Sequence, residues 1–272
     1  MPTHFNFNKA NLLGFAFIIL FFLSCEPSGS SLNETESKVR STTKKEIPKK
    51  DNTIVVEREF HKLNSANIES FLSEYFRENP ERRVRVITRV GTLKVRLFDE
   101  TPLHTANFLM MTKRNYFTGT EFIRVAPNFV VQGGNNESEI EKVKRILIGS
   151  YTMPSEFKKE RIHKKGVLSM ARAYKNNPNM RSSAYYFFFV QGQKFNEPQL
   201  MAIERDSEMI IPDWKRKIYK TIGGAPHLDN EHTVFGEIYE GLDVLDKMAA
   251  VKTDGGESDT YTHLTLPTSH YD

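Results

Sequence analysis

One cysteine, Cys25, is all the 272-residue chain holds, so no intrachain disulfide can staple it. Tryptophan also occurs once, against twenty phenylalanines, which points to a core or pocket built from Phe rings. Charge of one sign is missing too. The net +4 comes from 38 basic and 34 acidic residues, interspersed, which argues against a nucleic-acid partner. His227 and His232 are five apart in a turn-rich segment, with neither a carboxylate cluster nor a second thiol to complete a metal site. Gly133-Gly134 and Gly223-Gly224 fit no phosphate-cradling spacing and read as tight turns. No metal and no cofactor are therefore expected. The chain has no internal repeat. Its one long apolar run, Leu12 to Leu23, falls short of the roughly 20 residues that cross a bilayer comfortably as a helix.

That run follows Lys9 and ends in Leu23-Ser24-Cys25, the layout of a secretory signal with a small residue before a cysteine. It resembles a bacterial lipobox. Residues 1–24 then read as a lipoprotein signal peptide and Cys25 as the lipidated N-terminus of the mature chain. The lipid would hold the protein to the cell envelope, facing the periplasm, since each buried methylene contributes about 0.8 kcal/mol. Residues 25–57 lack aromatics and are rich in Ser, Thr, Lys and Glu, a composition that reads as a disordered tether. Its reach is roughly 30 Å. Lys44-Lys45 and Lys49-Lys50 read as solvated tether.

Residues 58–82 read as an N-terminal helical extension. Ile68, Phe71, Leu72 and Tyr75 share one helix face, and Asn79-Pro80 stops it. Val84 and Val86, then Leu93, Val95 and Leu97, alternate on either side of Gly91 and predict a hairpin. Thr101-Pro102 opens a helix with Leu103, Ala106 and Met110 inward and Thr as its cap. Further strands are predicted at 129–132, 167–170, 187–190 and 233–237. A last helix carries Leu242, Leu245, Met248 and Ala249. Residues 136–165 read as a polar loop with a short strand, and 193–222 as a partly helical excursion. Many short strands with few helices predict a mainly β fold, a closed eight-stranded β-barrel capped by two helices, with an extra N-terminal helix and a helical insertion.

The segment that carries chemistry is Phe122-Ile-Arg124-Val-Ala-Pro127-Asn-Phe129-Val130-Val-Gln132-Gly133-Gly134. It gathers an arginine, apolar side chains and a glutamine around a proline turn and a Gly-Gly corner. It resembles the signature of the cyclophilin family of peptidyl-prolyl isomerases. Tyr116-Phe117-Thr-Gly119-Thr120, Gly166-Val-Leu-Ser169-Met170-Ala171, Phe187-Phe188-Phe189-Val190 and His227-Leu228-Asp229 through His232-Thr-Val-Phe235-Gly236-Glu237 agree with that family in order. The resemblance covers about residues 83–255, within a domain taken as 83–272. It implies Arg124 as the catalytic arginine, with Phe129, Val130, Phe188 and Leu228 as walls of a proline pocket. His232 stands at the pocket edge, Gln132 orients the substrate backbone, and Ala171-Arg172-Ala173 binds the residue before proline through main-chain groups. The chemistry suits these residue types. Rotation about an amide meets a barrier of roughly 18–20 kcal/mol, and a fixed cationic donor favours the twisted state without nucleophile, metal or cofactor.

Four positions depart from the common family pattern. His227 replaces Trp, Tyr186 replaces Gln, Val130 replaces Met, and Arg172 replaces Asn. The Trp and Gln positions help bind cyclosporin in the family, so weak binding of that inhibitor is expected. After Lys252-Thr-Asp254 the chain lacks a clear final strand. Tyr261-Thr-His-Leu-Thr-Leu-Pro267-Thr268 matches translated sequencing-adapter DNA, so 255–272 reads as a non-native tail. The expected protein is a monomeric isomerase acting on proline-containing segments of exported polypeptides. The alternative is a non-catalytic proline-peptide-binding or chaperone module on a lipoprotein tether.

Overall fold

A computed structural model describes residues 62–134 and 139–251. Cys25, the tether and the tail from 255 lie outside the described residues. The first described strand, Leu63–Asn64 (β1), leads into helix α1, Ile68–Glu78. Ile68 and Leu72 are buried, and Phe71 and Tyr75 pack against the same core, so the apolar face read from the spacing is the buried one. The Asn79 side chain donates to the Tyr75 carbonyl at 2.8 Å where the helix stops, just before Pro80.

Arg83–Thr88 (β2) and Gly91–Leu97 (β3) form the hairpin, with Val84 opposite Val95 and Val86 opposite Leu93. Gly91 turns it at φ +142°, where a Cβ would meet Val244 Cγ2 at 2.7 Å. Helix α2, Pro102–Lys113, is buried from His104 to Thr112. Its capping differs from the expectation. Thr101 occupies the cap position, but its side chain takes no first-turn amide. The Glu156 carboxylate accepts from the amides of Leu103 and His104 instead, at 3.2 and 3.0 Å. Two oxygens reach two amides at once, and the negative charge suits the helix N-terminus.

Next come Arg124–Ala126 (β4), Val130–Gly133 (β5), helix α3 at Glu139–Ile148, Gly149–Ser150 (β6) and Thr152–Met153 (β7). The predicted loop over 136–165 thus contains a helix. Ile140, Val143 and Leu147 recur at helical spacing there, but they remain exposed, so no core burial marked them as an element. Val167–Arg172 (β8) and Ser182–Val190 (β9) follow. The excursion then forms α4, Glu197–Asp206, and α5, Asp213–Thr221. A capping box between Asn196 and Gln199 starts α4, and Ile162, Leu200, Ile211 and Tyr219 give the excursion a small core of its own. Val234–Glu240 (β10) and Leu242–Ala249 (α6) complete the described chain. No helix of the described residues is long and apolar enough to cross a membrane.

Eight strands make one sheet, ordered β2-β3-β10-β8-β9-β5-β4 with β7 also on β9. The fold is mainly β, a curled half-barrel with six α-helices. The predicted closure is corrected: among the described residues β2 pairs only with β3 and β4 only with β5, so the sheet is open. Closure needs enough paired length at both edges, and β4 offers three residues. Helix α6 packs against β3, β4 and β5, spanning the opening with side chains rather than a hydrogen-bonded ladder. One sheet face and α2 enclose the expected Phe-rich core. Phe108, Phe117 and Phe187 meet edge to face or tilted there, with centroids 4.9 to 5.3 Å apart.

Candidate active site

Strands β4 and β5 pair antiparallel, so Arg124 stands opposite Gln132 and Ala126 opposite Val130. Alternation puts these four on one face. Strand β9 extends that face, with Phe188 opposite Gln132 and Val190 opposite Val130. Val131, Phe187 and Phe189 point the other way, into the main core. The site therefore lies on the face of the sheet turned away from the Phe core. Gly134 makes the corner after β5 possible. Its φ is +104°, and a Cβ would lie 2.0 Å from the Tyr185 carbonyl oxygen.

A second apolar cluster sits on this outer face. Val130, Phe188 and Leu228 are buried in it with Phe98, Val167, Val190, Ala225 and Val234, and Phe129 and Ala171 pack against its rim. The cluster thus brings together all four predicted pocket-wall residues. Arg124 is exposed at its edge, its Cζ 5.7 Å from the centre of the Phe129 ring. The short turn Pro226–Leu228 sends Leu228 inward and leaves His227 outward, stacked on Phe129 at 5.2 Å. His232 meets the Phe188 ring edge-on at 5.3 Å. Its Nδ1 lies 3.0 Å from the Met170 carbonyl and donates to it, so Nε2 accepts from the Tyr174 hydroxyl at 2.8 Å. Burial lowers the His232 pKa to about 4, so the ring is neutral near pH 7.

Arg172, Ala173 and Tyr186 lie beside this cluster rather than in it. They line an adjoining cleft that also touches Gln132 and Ala171. The Arg172 guanidinium turns to Glu231, pairing with its carboxylate and donating from Nε to its carbonyl at 2.6 Å.

Beneath the cluster is a buried polar array that the motif reading missed. Asp229, next to Leu228, accepts from the His163 amide at 2.9 Å, from Lys215 Nζ at 2.8 Å and from the Tyr219 hydroxyl at 2.8 Å. His163 Nδ1 lies 3.2 Å from the same carboxylate, and His163 Nε2 lies 3.0 Å from Ser169 Oγ. Burial opposes the Asp229 charge, but the donors from His163 and Lys215 outweigh it and hold the carboxyl below its ordinary pKa. Burial lowers His163 as well. Serine, histidine and carboxylate are in triad order here, yet all three are buried and Ser169 donates to the Thr233 carbonyl. The array's serine does not face solvent, so the array supports the floor of the cluster. In sequence it left only an isolated His163 and an Asp229 inside a matched motif.

An apolar cluster with one charged donor and one amide at its edge, above an array whose serine is buried, suits conformational rather than covalent chemistry. Residues 83–266 match the family model of the cyclophilin-type peptidyl-prolyl cis-trans isomerases. The chain belongs to this family. A protein of Staphylococcus haemolyticus named as a peptidyl-prolyl cis-trans isomerase is 32% identical over 190 residues, 68% of this chain and 88% of that protein. A Streptococcus pyogenes protein named as a bifunctional phosphatase/peptidyl-prolyl cis-trans isomerase is 35% identical over 177 residues. The match covers 63% of this chain and only 35% of that longer protein. The crystal structure of a cyclophilin-type isomerase from Cryptosporidium parvum aligns with a TM-score of 0.49 at 22% identity, covering 71% of this chain and 98% of that one. The cyclophilin match ends at residue 266, inside the stretch read as a non-native tail.

Proposed function

We propose that this cyclophilin domain accelerates rotation of X-Pro bonds in exported proteins, with Arg124 hydrogen-bonding the twisted prolyl amide. The proline ring enters the cluster of Phe129, Val130, Phe188 and Leu228, with neutral His232 at its edge. Gln132 orients the backbone, and the main chain at Ala171–Ala173 receives the residue before proline. Twisting the amide frees the nitrogen lone pair, and an arginine keeps its charge and donor geometry at any physiological pH. The apolar wall excludes water and strengthens that bond. The observation that carries the reading is Arg124 opposite Gln132 at the mouth of the outer apolar cluster. Cys25 carries lipid in this account and the 25–57 tether links it to the domain.

A second reading is a proline-peptide binder without turnover, favoured by exposed His227 in place of the family's Trp. NMR exchange spectroscopy on an Ala-Pro peptide separates the two. Catalysed exchange between cis and trans signals supports the isomerase, and shifts without exchange support the binder.

A further inference from the structure

The cleft beside the pocket has a charge pattern that the isomerase reading does not use. It encloses about 1080 Å³ and is continuous with the site through Gln132 and Ala171–Ala173. Six cationic side chains line it: Lys62, Lys142, Arg145, Arg172, Lys175 and Arg181. Among the described residues no aspartate or glutamate does. Three of the six have carboxylate neighbours outside the lining. Lys142 pairs with Glu139 at 2.7 Å, Arg181 with Glu69 at 3.4 Å, and Arg172 with Glu231. Lys62, Arg145 and Lys175 have no carboxylate partner among the described residues.

The cations come from four separate stretches. Lys62 precedes β1, Lys142 and Arg145 sit on α3, Arg172 and Lys175 follow β8, and Arg181 precedes β9. They converge because β1 pairs with β6 directly after α3, and β8 pairs with β9. A solvated basic surface on one helix would spread its charges outward. Here all six line one concavity, which concentrates the field.

We propose that this cleft selects an acidic side chain on the amino-terminal side of the client's proline. The inference rests on the placement of the preceding residue at Ala171–Ala173. With that residue there, an extended peptide advances roughly 3.3–3.6 Å per residue, so the next one to three side chains upstream enter the cleft. The Ser183 hydroxyl in the same wall accepts from the Tyr185 and Tyr186 amides, so its own hydrogen can donate to a carboxylate.

The test compares peptides Glu-Glu-Ala-Pro-Phe, Gln-Gln-Ala-Pro-Phe and Lys-Lys-Ala-Pro-Phe on the full chain. Kd is read by NMR titration and catalysis by exchange. Exposed or partly exposed ion pairs contribute modestly, so the acidic peptide should bind roughly fivefold tighter than the neutral one at low salt. The lysine peptide should bind weakest, and high salt should compress the order. Arg145→Glu with Lys175→Glu should remove the acidic advantage and leave Kd and turnover of the neutral peptide unchanged. Lys62→Glu gives an independent check if the double variant is misfolded by circular dichroism. Equal Kd for the three peptides, or an acidic preference untouched by the charge reversals, overturns the proposal. So does an equal preference for Ala-Pro-Glu-Glu, which carries its acids after the proline. Absence of exchange with every peptide would count against the isomerase reading instead, because the order of Kd values still reports on the cleft.

Discussion

His232 is held between the Met170 carbonyl and the Tyr174 hydroxyl, and burial lowers its pKa from 6.5 to about 4. The folded state thus refuses a proton that the unfolded state accepts. Stability from this group is fully present above pH 6.5. It declines as the pH falls from 6.5 to 4 and levels off below that. The fall from 6.5 to about 4 corresponds to about 3 kcal/mol. Buried His163, also lowered, acts in the same direction. Urea unfolding of His232→Gln across that window should show a shallower pH dependence than the native chain, with the largest difference near pH 4. Parallel curves would mean that the ring is not held neutral by burial.

At the scale of elements, α5 is coupled to the pocket floor by its Lys215 and Tyr219, which both donate to Asp229. Asp229→Asn would leave the Lys215 ammonium buried without its counter-charge. Breaking one side of such a pair costs about 3 kcal/mol, and Tyr219→Phe about 1 kcal/mol. Denaturant midpoints test both; a neutral Asp229→Asn would remove the excursion's supporting role. This coupling was not legible in the sequence, because Asp229 and His163 are 66 residues apart and the motif that holds Asp229 does not include His163. The same is true of Glu156, which lies 53 residues from the amide of Leu103 that it caps. Patterns of period 2 and 3.6 did reveal α1, the β2–β3 hairpin and the pocket strands, because there the burial is periodic along a single element. Helix α3 had the period, but Ile140, Val143 and Leu147 on it stay exposed. The open sheet was missed because pairing across an edge depends on strands distant in sequence. Arg124, Phe129, Val130, Gln132, Phe188 and Leu228 were legible through the order of motifs, and register then put Arg124, Val130, Gln132 and Phe188 on one face.

For the whole molecule, we propose a lipid anchor at Cys25 joined through a tether to the cyclophilin domain. Cys25→Ser should abolish lipid labelling and move the protein from the membrane to the soluble fraction. A variant that still sediments with membranes through Leu12–Leu23 would favour an uncleaved anchor over lipidation. The central claim is that the domain turns over X-Pro bonds through one positioned cation. The most direct measurement is kcat/KM for an Ala-Pro peptide by NMR exchange, comparing the native chain with Arg124→Ala. Arg124 is exposed and outside all three apolar clusters, so the variant keeps its fold. Loss of one preorganised donor costs about 2.7–4 kcal/mol in the transition state, so kcat/KM should fall about 10²- to 10³-fold. Native-like turnover in a folded Arg124→Ala chain would contradict the account.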